Sequence, residues 1–147
     1  MVRIATMEDL DAVTELGKLS LIEGPYGDQI QFNHDRAYNF AKSVITVLGK
    51  VLLWVEGSQP VGLLGFLFFP HFFTGEPTAQ EVMFFVRKEF RAGNPALRLL
   101  WAAEEMAKQM GAKKMQFTAP VVAVSQVGAM YERCGYKVLE VGYQKAL

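Results

Sequence analysis

Cysteine is nearly missing from this chain. One thiol, Cys134, leaves no partner for an internal disulfide and no thiolate cluster for a metal. Nor is a staple needed, since 147 residues in one domain can bury a sufficient core. Histidine is almost as scarce, with His34 and His71 alone, and no grouping of His, Cys, Asp and Glu has metal-ligand spacing. No metal is expected. An excess of one charge is also lacking: 15 Lys and Arg balance 15 Asp and Glu. Net charge therefore points to neither a nucleic acid nor a membrane as partner. No apolar run approaches the ~20 residues of a membrane span, and Val61 to Phe73 is interrupted by Pro70 and His71. Glu8, Asp9 and Asp11 break the N-terminal stretch that a secretory signal would need. The expectation is a cytoplasmic protein. Repeats, linkers and low-complexity tracts are absent as well, so residues 1–147 read as one domain.

What is present is apolar and patterned. Hydrophobic residues make up 51% of the chain and include 11 Phe, enough for a dense core. Val2-Arg3-Ile4-Ala5 alternates as a short strand, and Thr6 with Asp9 is a variant capping box before a helix carrying Leu10, Val13, Leu16 and Leu19 inward. Gly24-Pro25-Tyr26-Gly27 starts a loop. A second helix places Ala37, Phe40, Ala41, Val44, Ile45 and Leu48 on one face and stops at Gly49. Val51 to Glu56, the turn Gly57-Ser58-Gln59-Pro60 and Val61 to Phe69 predict an antiparallel hairpin. After a loop from Pro70 to Pro77, an apolar strand ends at Val86. A helix then shows Ala96, Leu99, Leu100, Ala103, Met106, Ala107 and Met110 on one face and ends at Gly111. Lys114 to Ala119 predicts a strand, about Gln126 to Cys134 a helix ending at Gly135, and Tyr136 to Lys145 a final strand. The order β, α, α, β, β, β, α, β, α, β argues for an α/β sheet with helices on both faces.

The junction from Val86 to Leu100 is the most informative stretch. A strand runs through a small-residue loop straight into a periodic helix, aiming backbone N–H groups and a positive helix end at one point. That arrangement suits an anion such as a pyrophosphate. The loop Arg91-Ala92-Gly93-Asn94-Pro95-Ala96 resembles the acetyl-coenzyme A loop of the GNAT acetyltransferase superfamily, Arg/Gln-x-x-Gly-x-Gly/Ala, with Asn94 where the family prefers Gly. Tyr131-Glu132-Arg133-Cys134-Gly135-Tyr136 is similar to the family's Tyr-x-x-x-Gly-aromatic element. Arg3-Ile4-Ala5-Thr6 with Glu8-Asp9-Leu10 resembles its opening strand and helix, and Gly57 with Val61-Gly62 its central hairpin. The order of elements is the family's over nearly the whole chain.

This resemblance implies a mixed, mainly antiparallel sheet with helices on both faces and two strands splayed at the cofactor site. It implies acetyl-coenzyme A as cosubstrate, held by Arg91, Ala92, Gly93, Asn94 and Ala96, and by the main chain of Phe84 and Val86. An N–H on that strand would polarise the thioester carbonyl. Gly93 lets a ligand approach the backbone, Ala96 is small enough not to block it, and Pro95 supplies no N–H but suits a first helical turn. The competing reading makes the segment an ordinary turn with Asn94 as helix cap.

Tyr131 is the candidate acid. A phenol with a pKa near 10 carries its proton at pH 7 and can give it to a leaving thiolate; the alternative is packing on the sulfur. Glu81, the carboxylate of the strand before the loop, matches the family's base, and is otherwise a solvated strand-end charge. His71, between Pro70 and Phe72, could take the proton or line the acceptor site, although a lone loop His more often does neither. Tyr26 and Asp28 fall where the family shapes its acceptor site. Cys134 reads as packing.

The expected activity is acetyl transfer from acetyl-coenzyme A to an amine by direct attack. The acceptor is left open among a protein N-terminus or Lys, a polyamine and a small amino compound, and a homodimer is compatible with the reading. The alternative, prompted by Asn94 and by Val124 where the family usually has Asn, is an inactive protein of the same fold that binds coenzyme A or a partner protein.

Overall fold

Strict alternation along one strand sets the architecture. In β2 (Gly49–Glu56), Val51, Leu53 and Val55 face one core while Leu52 and Trp54 face another. The computed structural model describes residues 1–25, 30–121 and 124–147. On one face of the sheet lie α1 (Leu10–Glu23) and α2 (His34–Ser43), which contribute Leu10, Val13, Leu16 and Ala41 to the first core. On the other lies α3 (Pro95–Gln109), whose Leu99, Ala103 and Ala107 fill the second. The Val and Leu side chains among these, fully buried, contribute roughly 1.5–3 kcal/mol each.

The sheet follows chain order. β1 (Val2–Ile4) pairs with β2, β2 with β3 (Gln59–Pro70), and β3 with β4 (Pro77–Val86), all antiparallel. β5 (Lys114–Gln116) then joins β4 in parallel, as the crossover through α3 requires. A helix α4 (Ala129–Arg133), continuing from a π turn at Val124–Gly128, follows β5. The mixed, mainly antiparallel sheet covered on both faces is the one expected.

Three local features have identifiable physical causes, and the first two agree with the chain's pattern. The carboxylate of Asp9 accepts from the Thr6 N–H at 2.8 Å and is gripped by the Arg3 guanidinium at 2.7 and 2.8 Å, fixing the turn that opens α1. Those contacts, the Arg3 hydrogen bond foremost, hold its pKa down to about 2. Gly49 ends the π turn Val44–Leu48 and opens β2, where a Cβ would overlap the Phe66 carbonyl oxygen of β3. Between Gly65 and Phe66 the β3–β4 register slips, so that Met83 and Glu81 face consecutive residues and Val82 is an extra, bulged residue.

Two expectations are corrected. The strand placed at Lys114 to Ala119 stops at Gln116, because beyond that point β5 and β4 no longer pair. The strand expected over Tyr136 to Lys145 does not form: these residues have no regular structure, and Val138, Leu139, Val141 and Tyr143 are exposed. Alternation states which face a strand would bury; the ladder itself needs a partner edge, and three-residue β5 offers a short one.

Candidate active site

The site begins where two parallel strands part. β4 and β5 are paired at Thr78–Lys114, Ala79–Met115 and Gln80–Gln116, and then separate. From there the Thr118 N–H turns to a side chain: it donates to Glu81 Oε2 at 3.2 Å, and the Thr118 hydroxyl donates to the same oxygen at 2.9 Å. A carboxylate thus stands in for the ladder carbonyl. Glu81 Oε1 has no hydrogen-bond partner among the described residues, and Glu81 lines the cleft that opens here. Glu81 is 8% exposed and mid-strand, far from a solvated strand end. Burial pushes its carboxyl above the ordinary range, and the Thr118 hydrogen bonds offset part of the rise.

Beyond Glu81 no strand among the described residues pairs with the outer edge of β4. The Arg87 N–H donates to the Val61 carbonyl at 2.9 Å across the Val86–Gly62 pair, which marks that pair as non-hydrogen-bonded. By antiparallel alternation the main-chain groups of Val86 and Phe84 then face away from β3, into the cleft. Arg91 confirms the direction, since its Nε donates to the Val86 carbonyl at 2.8 Å. The same guanidinium reaches Glu23 Oε2 at 3.1 Å, tying the end of α1 to the loop, and lies over the Phe85 ring.

The loop that follows has left-handed backbone at two consecutive residues, Gly93 (φ 80) and Asn94 (φ 60). Asn is among the residues that tolerate this conformation best after Gly. Asn94 occupies the cap position of α3, yet its side chain makes no capping bond. The first helical hydrogen bond runs from the Arg98 N–H to the Asn94 carbonyl at 3.2 Å, so the Ala96 and Leu97 N–H groups have no intrahelical partner. Lys88, Arg91 and Arg133 border the same cleft. Free amides, a helix N-terminus and three cations fit the phosphates of a coenzyme A.

Tyr131 closes the far wall. Its hydroxyl donates to the Thr118 carbonyl at 2.9 Å, and its ring packs against Phe117 at 5.1 Å and Tyr136 at 6.1 Å between centroids. Burial, and then the charge of Glu81, push its phenol well above 10, so it keeps its proton throughout the physiological range. Tyr136, whose hydroxyl donates to Glu104 at 2.6 Å, is raised likewise, first by burial and then by that bond.

One cleft of about 610 Å³ therefore brings together Glu81, Phe84, Val86, Arg91, Asn94, Ala96 and Tyr131. Ala92 and Gly93 sit in the same loop without bordering the cleft. His71 is not brought there. It belongs to the turn at the opposite end of β4, where its N–H donates to the Glu76 carbonyl and its Nδ1 accepts from the Phe73 N–H. Tyr26 and Asp28 lie outside the described residues. Sequence reasoning missed Thr118, Lys88, Arg133 and the α1 residues Ser20 and Glu23, all of which line the cleft. Thr118 belongs to no short motif; its expected place in the strand after α3, beside Glu81's strand, was the available signal.

No curated protein sequence matches the chain significantly. Solved structures do, at low identity. An aminoglycoside N-acetyltransferase in complex with coenzyme A matches with TM-score 0.79 and 14% identity over 100% of this chain and 95% of that one. A transcriptional regulator from Bacillus halodurans matches with TM-score 0.78 and 21% identity over 100% and 99%. A ribosomal-protein-alanine N-acetyltransferase from Brucella melitensis matches with TM-score 0.77 and 16% identity over 100% and 98%. At such identities the likeness establishes the fold. The family model for the acetyltransferase (GNAT) family matches residues 18–136, which include Glu81, the loop and Tyr131, and the chain belongs to that family.

Proposed function

We propose that this chain transfers the acetyl group of acetyl-coenzyme A to an amine by direct attack, with Glu81 as base and Tyr131 as acid. The observation that carries the reading is the meeting of a buried carboxylate, a protonated phenol and an open strand edge in one cleft. Family members use acetyl-coenzyme A, and the cleft supplies what that cosubstrate needs. The amides of Ala96 and Leu97 with Lys88, Arg91 and Arg133 would hold the phosphates. The outward main-chain groups of Phe84 and the N–H of Val86, whose carbonyl is taken by Arg91, would pair with the pantetheine amides and set the thioester carbonyl against an N–H donor.

An amine acceptor arrives as an ammonium with a pKa near 10 and must lose a proton before attack. Glu81 takes it at Oε1, directly or through one water, and its raised affinity for a proton makes it a stronger base than a surface carboxylate. As nitrogen bonds to the carbonyl carbon and the carbon–sulfur bond breaks, Tyr131 turns its hydroxyl from the Thr118 carbonyl to the sulfur. It stabilises the leaving thiolate by hydrogen bonding and proton donation, and the second proton that the nitrogen loses on becoming an amide restores the phenol, directly or through water.

A second reading keeps the cofactor and drops the turnover, as in a protein that binds coenzyme A structurally. Its support is the Tyr131 proton held on Thr118 and Asn94 in the family's Gly position. Thiol release from acetyl-coenzyme A, measured with an alanyl peptide, lysine, spermidine and kanamycin, separates the two when set beside calorimetry of cofactor binding. Release above the acceptor-free rate is expected with at least one amine. Binding without release by any of the four favours the second reading.

A further inference from the structure

We infer that Thr118 is the positioning residue of this site, one peptide unit that sets both the carboxylate of Glu81 and the hydroxyl of Tyr131. The inference rests on the roles proposed above for those two groups. Three hydrogen bonds carry it. The Thr118 N–H and Oγ1 both donate to Glu81 Oε2, at 3.2 and 2.9 Å, and the Thr118 carbonyl accepts from the Tyr131 hydroxyl at 2.9 Å. The residue therefore gives one carboxylate oxygen two donors and leaves the other without a hydrogen-bond partner among the described residues, on a side chain that lines the cleft. It also holds the phenolic proton at a fixed point, within reach of the same space.

The placement follows from the topology. β5 stops pairing at Gln116, so two residues later the main-chain groups have no ladder partner, and the Thr118 N–H meets the buried carboxylate of Glu81 instead. An apolar residue here would leave the N–H to Glu81 but remove the second donor. A hydroxyl adds a bond to a charged acceptor, which is stronger than a bond between neutral groups. Glycine or alanine would make the same loss and leave space besides. The titratable groups that line the cleft with Glu81 are Tyr131 on α4, Glu23 at the end of α1, and Lys88, Arg91 and Arg133. None of these donates a hydrogen bond to Glu81 among the described residues, so Thr118 alone fixes its orientation.

The test compares Thr118→Val, which keeps the shape and loses the hydroxyl, with Thr118→Ser, which keeps the hydroxyl. In the intact protein without cofactor, carboxyl-labelled glutamate NMR follows the Glu81 titration. Thr118→Val should move its midpoint to higher pH, since the charged form loses a donor, and Thr118→Ser should return it to the wild-type position. In the thiol-release assay, with whichever of the four amines reacts fastest, Thr118→Val should lower turnover about tenfold, the scale of one hydrogen bond to a charged group. Acetyl-coenzyme A affinity should be unchanged, and Thr118→Ser should recover most of the rate. An unmoved Glu81 midpoint in folded Thr118→Val overturns the inference. So does an unchanged turnover in that variant, which leaves the reading of Glu81 and Tyr131 standing. A wild-type protein that releases no thiol with any of the four amines overturns that reading, and this inference with it.

Discussion

Tyr131 and Glu81 face each other across the Thr118 peptide, and their environments suit opposite duties. A phenol whose pKa is raised by burial and by a neighbouring carboxylate holds its proton firmly, which favours donating a hydrogen bond over releasing a free proton. Tyr131→Phe keeps the ring against Phe117 and removes the donor. We expect turnover to fall by a factor of about 10² to 10⁴, the usual scale for a general acid, with cofactor affinity nearly intact. Steady-state rates beside calorimetric affinities check this, and an unchanged rate with chemistry limiting would reduce Tyr131 to packing. For Glu81 the test is a pH series. Glu81→Gln should cut the rate at neutral pH, and the loss should shrink as pH rises, because more of the acceptor is already uncharged. A profile parallel to wild type would remove Glu81 from the reaction. Tyr131 could be picked out from its spacing to Gly135, a local signal. The surroundings of Glu81 could not, because whether a strand carboxylate is buried depends on a partner 37 positions away.

At the scale of elements, the strand-to-helix junction was the most legible part of the chain. A strand, a small-residue loop and a periodic helix are each set by near neighbours in sequence, and all three form as expected, with α3 opening at Pro95. The backbone is left-handed at Gly93 and Asn94 and the first helical amides have no capping side chain, as the proposed phosphate site requires. Asn94→Gly should preserve or tighten acetyl-coenzyme A binding, as Gly adopts this conformation without strain. Ala96→Glu should abolish it, by adding bulk and negative charge beside the free amides. Calorimetry on both folded variants decides, and normal binding by Ala96→Glu would move the cofactor elsewhere. The strand expected after Tyr136 shows the converse. Its alternation was legible, and a strand edge for it to join was not, because pairing is decided by elements distant in sequence. The bulge at Val82 was equally hidden, although it rephases β4 so that Phe84 and Val86 share the α3 face with Ala79.

For the whole molecule, two buried carboxylates pull stability in opposite directions with pH. Asp9, held to about 2 chiefly by Arg3, binds its proton less readily folded than unfolded. Its contribution is therefore present above its unfolded value of 3.8 and lost as pH falls toward about 2. Arg3 is partly exposed, which screens the pair, so the contribution is on the order of 1–2 kcal/mol. Glu81 has the other sign. Its folded pKa lies above the unfolded 4.5, so it favours the fold below 4.5 and that advantage is lost as pH rises through the raised folded value. Ionising this buried carboxyl therefore costs the fold stability, in the place where the proposed chemistry needs a base. Urea unfolding across pH 3 to 8 should show this for wild type, Asp9→Asn and Glu81→Gln. Asp9→Asn should flatten the rise in stability on the acid side. Glu81→Gln should flatten the decline above about 4.5 and be at least as stable as wild type at pH 7, although Gln offers Thr118 only one acceptor oxygen. If Glu81→Gln kept the wild-type slope above that pH, the carboxylate would be ionised as readily folded as unfolded. The cleft would then be wetter than its geometry implies, and the case for Glu81 as a tuned base would go with it.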